Sequence, residues 1–106
     1  MRFPRLLASR VFDLSQLKPG HFDDLIGALL PLADSPFAFT VQAVKRLASP
    51  SPRAEPFTLN LLAPPGTRGG QGTYTLLHPQ LGPLSIFLVP VATVEDGRSC
   101  FEAVFN

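Results

Sequence analysis

Between residues 37 and 47 the chain alternates with a period of two. Phe37, Phe39, Val41, Ala43 and Lys45 fall on one face, and Ala38, Thr40, Gln42, Val44 and Arg46 on the other. A two-residue period is that of a β-strand whose faces meet different surroundings. Five further segments have strand length and are rich in Leu, Val, Phe and Thr: residues 28–33, 57–63, 71–77, 84–91 and 99–105. In 84–91 both alternating sets are apolar, Leu84, Ile86 and Leu88 against Phe87, Val89 and Val91, which predicts the most central strand. The last segment alternates Phe101, Ala103 and Phe105 with Cys100, Glu102 and Val104.

Between these segments lie turn formers. Asp34-Ser35-Pro36 reverses the chain, and His78-Pro79-Gln80-Leu81-Gly82 does so again. SPSPRAEP at 49–56 is poor in ladder donors and reads as a solvated hairpin loop, while PPGTRGG at 64–70 combines fixed negative φ with residues free to take positive φ. Residues 12–17 and 22–26 each have room for about one helical turn, with Asp13 as an N-cap and Lys18-Pro19-Gly20 as the break. The expected fold is therefore all-β: a small antiparallel meander closing into a six-stranded barrel, or else a two-layer sandwich, with one or two short helical turns near the N-terminus. Residues 1–11 form an N-terminal arm, and 12–106 one β-domain.

Length and composition agree with one domain. The chain has 106 residues, 45% of them hydrophobic and only 16% charged, so it can bury a core and presents little charge at its surface. A net charge of +1 speaks against a protein that lives on phosphate contacts, and Lys45, Arg46, Arg53 and Arg68 form no basic face interleaved with aromatics, so no nucleic-acid partner is expected. Arg2, Arg5, Arg10 and Lys18 against Asp13 make the first twenty residues basic. The apolar run Leu6-Leu7-Ala8 that follows is too short for an export leader, and no apolar stretch approaches the ~18 residues of a membrane span. Cytoplasmic synthesis without membrane insertion is expected, with a final place in a virion-like or extracellular assembly left open. The lone Cys100 excludes an intrachain disulfide.

Candidate chemistry is thin. Gly69-Gly70-Gln71 spells the triplet that peptide-release factors bring to peptidyl-tRNA, but it runs into a strand and lacks a basic tail, so it reads as a glycine turn. The same loop matches neither phosphate-binding glycine pattern. Cys100, His78 and Glu102 supply the residue types of a thiol nucleophile, base and orienter, which makes a small hydrolase one alternative. His21, His78 and Cys100 lack paired-ligand spacing for a metal, and the adjacent acids Asp23-Asp24 and Glu95-Asp96 read as solvated turn residues. No cofactor is expected. The arm carries Phe3, Leu6, Leu7, Val11 and Phe12, and the closing strand Phe101, Ala103 and Phe105, with no further segment to cover them. These are the expected interaction residues of a non-enzymatic subunit that pairs through strand edges and its arm, as a homo- or hetero-oligomer. A small ligand- or peptide-binding barrel with an apolar pocket in its mouth is the other alternative.

Several stretches carry a resemblance. Phe57-Thr58-Leu59, Gln71-Gly72-Thr73-Tyr74, Leu76, His78-Pro79, Leu81-Gly82, the run from Ile86 to Val91, and Phe101-Glu102-Ala103-Val104-Phe105-Asn106 together resemble a bacterial domain family of unknown function. Its members read QGTY-x-L-x-HP-x-LG, LFLVP and YEAVFN. The likeness spans residues 21–106 and is tightest over the last fifty or so; Phe101 stands where the family usually has Tyr. It implies no catalytic residues. Because members are often encoded near phage-tail-collar-like proteins, it implies an accessory or structural role in a tail-like, fibre or filament assembly, with tail-collar-like subunits as partners.

Overall fold

A computed structural model describes residues 12–48, 51–67, 69–93 and 97–106. A 3-10 turn, Leu14–Gln16, and a four-residue helix α1, Gly20–Asp23, precede six strands: β1 Leu29–Pro31, β2 Ala38–Arg46, β3 Phe57–Leu62, β4 Gly72–His78, β5 Gly82–Thr93 and β6 Ser99–Phe105. All pairings are antiparallel. Asp13 caps the first turn as expected, its carboxylate accepting from the Ser15 N–H at 2.9 Å and the Ser15 hydroxyl at 2.7 Å.

The sheet nearly closes into a barrel, in the order β1-β2-β3-β6-β5-β4. An antiparallel bridge, Leu32 opposite Leu76, brings its two ends together. The order departs from a consecutive meander at one place: after β3 the chain crosses the mouth of the barrel to β4, and β6 returns to fill the position beside β3. The seven-residue segment at 64–70, too long for a tight hairpin, makes that crossing.

β6 is consequently not an edge strand. It pairs with β3 over Cys100 to Phe105 and with β5 over Ser99 to Glu102. Phe101, Ala103 and Phe105 point into the core, which removes these side chains from the surface where an unpaired terminal strand would have presented them. The β5 expectation needs a similar correction. Leu84, Ile86 and Leu88 are buried, but Phe87 is 53% exposed, because the outer face of the barrel has no second layer over it. Strand β2 alternates as predicted only as far as Val41. A bulge between Val41 and Ala43 shifts the register, so Val44 takes the core side opposite Leu59 and Ala43 turns outward.

The core joins Leu30, Phe39, Val41, Leu59, Leu61, Leu76, Leu84, Ile86 and Leu88 with aromatic pairs at both ends. At the closed end Phe57 stacks on Phe105 with centroids 4.7 Å apart, and Leu17 and Phe22 from the helical turns cover them. The loop after β2, expected to be merely solvated, participates. Arg53 donates to the carbonyl of Leu17 (2.8 Å), at the end of the 3-10 turn, and to that of Leu14 (3.2 Å), which also accepts the Leu17 N–H, and its guanidinium lies 5.5 Å from the Phe105 ring centroid.

β5 offers a paired test of this inside-outside assignment. Leu88→Ala should cost about 2–5 kcal/mol of unfolding free energy and Phe87→Ser less than about 1 kcal/mol, both read from urea denaturation.

Candidate functional site

The mouth opposite the helical plug holds a concave, mainly apolar pocket of about 410 Å³. Leu32 and Phe37 from the β1–β2 turn form one wall, and Ala63, Pro64, Gly66, Thr67 and Gly69 from the crossing segment the other. Phe39, Tyr74 and Phe101 make the floor. Those three rings pack against one another: Phe39 to Tyr74 at 5.7 Å and 76°, Phe39 to Phe101 at 5.5 Å and 52°, and Tyr74 to Phe101 at 5.9 Å and 68°. Each comes from an inward position of a different strand, so the barrel's side-chain alternation brings them together.

Both walls are held in place. The Thr67 hydroxyl donates to the Pro64 carbonyl at 2.6 Å across a turn in which Gly66 has φ +78°. The Tyr74 hydroxyl donates to the Gly70 carbonyl at 2.6 Å; a Cβ on Gly69 would lie 2.9 Å from the Tyr74 hydroxyl oxygen, so a side chain there would require that ring tip to shift. Arg98 donates to the Ala63 carbonyl at 2.9 Å and to the Thr40 hydroxyl at 3.1 Å, fixing the start of the crossing. On the opposite wall Asp34 takes φ +58°, and the Leu32 N–H donates to the Phe37 carbonyl at 3.0 Å, closing the turn that presents Phe37. Phe37 remains 49% exposed at the rim.

The residues singled out for chemistry are placed elsewhere. Gly69-Gly70-Gln71 is the glycine turn expected, exposed and leading into β4. His78 lies at the other end of β4. Its Nδ1 accepts from the N–H groups of Gln80 (3.1 Å) and Leu81 (3.2 Å), so Nε2 carries the proton and donates to the His21 carbonyl at 2.8 Å. Its ring meets Phe22 edge-on at 5.3 Å, so His78 pins the β4–β5 turn to α1. Cys100 is opposite Ala92 whereas His78 is opposite Gly82, so ten residues of β5, on the order of 30 Å along the strand, separate them. They are not brought together. The Cys100 thiol donates to Gln42 Oε1 at 3.1 Å and receives the Asn60 amide at 3.9 Å on the outside of the barrel. Burial pushes its pKa up, the Asn60 hydrogen bond opposes this, and the Glu102 charge adds to it. A raised thiol pKa is the reverse of what activates a cysteine nucleophile.

Asp23 pairs with Arg46 at 2.7 Å on the surface. Phe12 is half-buried and edge-on to His21 at 5.6 Å. Phe3, Leu6, Leu7 and Val11 of the arm lie outside the described residues, as do Arg68, Glu95 and Asp96. Among the described residues no cluster of three or more His, Cys, Asp or Glu is arranged to hold a metal, and no helix is long and apolar enough to cross a membrane.

Residues 17–105 match the profile described as domain of unknown function DUF6916. The chain belongs to the DUF6916 family. No curated protein and no solved structure matches it. The sequence offered a barrel-mouth pocket as an alternative, and of the lining residues only Phe101 stood among the expected interaction residues, there as part of a strand edge. The available signals were the length of the 64–70 segment and the two-residue spacing of Phe37 and Phe39.

The raised Cys100 pKa has a sign that can be checked. Its folded value lies above its unfolded one, so its contribution to stability is present below about pH 8.5 and lost as pH rises through the folded value. Wild-type urea midpoints should fall more steeply from neutral to alkaline pH than those of Cys100→Ala.

Proposed function

We propose that this DUF6916 domain is a non-enzymatic interaction subunit whose binding site is the barrel mouth, and that the site takes an uncharged, apolar group. The aromatic floor carries the proposal. Phe39, Tyr74 and Phe101 are packed edge to face beneath an open pocket whose size falls in the range of small-ligand sites, and none of its ten lining residues carries a formal charge. The walls are preformed by their own hydrogen bonds, so little ordering cost would fall on binding. The half-exposed Phe37 at the rim would lose contact with water when the pocket fills.

On this proposal the partner is a ligand or protein segment bearing an apolar side group. An accessory role in a phage-tail-like or filament assembly is the setting that the motif resemblance suggests for such a subunit. The hydrolase alternative gains no support from the placement of Cys100 and His78.

NMR titration of the labelled full chain with indole tests the site. Binding with a dissociation constant on the order of 1 mM is expected, with amide shifts concentrated at Leu32, Phe39, Tyr74 and Phe101. Phe37→Ala should weaken it severalfold. Shifts confined to other parts of the barrel, or none, would overturn the assignment.

A further inference from the structure

The strand that floors the pocket also has an open side. The Ala33 N–H donates to the Thr75 carbonyl at 2.9 Å, so the backbone groups of Thr75 face the β1 side of β4. In an antiparallel strand such groups alternate: Thr73 also faces that side, while Gly72, Tyr74 and Leu76 face β5. Beyond the Leu32–Leu76 bridge the chain leaves the line of β1, turned away at Asp34 toward Phe37. Among the described residues no strand continues beside Thr73, which is exposed. Its N–H and C=O point into the gap next to the pocket.

Resting on the reading of the mouth as a binding site, we infer that the occupant is an uncharged extended peptide segment that adds as a strand along residues 72–74, continuing the line of β1 beyond Ala33, which already holds the position opposite Thr75. The residue opposite Thr73 exchanges backbone hydrogen bonds with it. The residue opposite Tyr74 shares the inward face of Tyr74, so its side chain enters the pocket over Phe39 and Phe101. The pocket alone would suit any small apolar molecule. The adjoining donor and acceptor, in register with it, match a peptide backbone. A second copy pairing through the same edge fits poorly: the inward residues of 72–74 are Gly72, which has no side chain, and Tyr74, whose hydroxyl is already bound to Gly70.

The test uses the full chain and capped hexapeptides in which Thr alternates with Leu, Ile, Val, Phe or Tyr, compared by calorimetry with N-acetyl-leucinamide and N-acetyl-phenylalaninamide. The best hexapeptide should bind at least about tenfold more tightly than the capped single residue bearing the same side chain. Thr73→Pro deletes an N–H that takes no part in the β4–β5 ladder. It should abolish that gain and leave the capped single residues unaffected, while Phe37→Ala weakens both. Backbone N-methylation of the hexapeptides tests the same bonds from the ligand side on the unaltered chain, should Thr73→Pro fold poorly. If capped single residues bind as well as every hexapeptide, or the gain survives both Thr73→Pro and N-methylation, the peptide inference falls and the apolar site stands. If neither hexapeptides nor capped residues bind, both fall. A dimer seen by light scattering and dissolved by Thr73→Pro would make the occupant a second copy and overturn the inference.

Discussion

Closure of this barrel depends on the bridge between Leu32 and Leu76 and the hydrogen bond from Ala33 to Thr75 beside it. Elsewhere neighbouring strands are held by ladders of three to seven residue pairs. The seam is short because β1 has only three residues and ends at a turn that requires left-handed backbone at Asp34. Shortness has two consequences. Below the bridge, Leu30 and Leu76 close over the core; above it, β4 runs on with no described strand on its β1 side and the mouth stays open.

The two ends of the barrel are built differently. At one end Leu17 and Phe22 are buried, Arg53 bonds the carbonyls of Leu14 and Leu17, and His78 ties the β4–β5 turn to α1. At the other end the described residues of the crossing segment are Pro, Gly and Thr, with no large apolar side chain among them to insert. The aromatic floor therefore lies beneath an open mouth between two pinned walls. This asymmetry follows from residue size: one end receives Leu and Phe, and the other Pro64, Gly66 and Thr67.

The strands were legible because local alternation needs no knowledge of neighbours, and their observed limits lie within two residues of the periodicity at all six. What alternation cannot show is who pairs with whom. The segments flanking 64–70 look like any two consecutive strands, so β6 beside β3 and the absence of a free edge at Phe101, Ala103 and Phe105 emerged only in three dimensions. The bulge after Val41 was also hidden, since Ala43 and Val44 are both apolar and either could face inward. For the same reason Phe87 looked buried: an apolar strand face does not reveal whether a second layer covers it. The pocket was illegible residue by residue because Leu32, Phe39, Tyr74 and Phe101 belong to segments far apart in sequence. Their common feature, an inward position near one end of the barrel, requires the register.

The most direct measurement of the open edge is amide hydrogen exchange resolved by residue along β4 in the unliganded protein. Thr73 should exchange near the rate of an unprotected amide, while its neighbour Tyr74 and, beyond it, Leu76 are strongly protected by β5. Protection of Thr73 equal to that of Tyr74 would mean that a strand already occupies the gap, and would contradict the account.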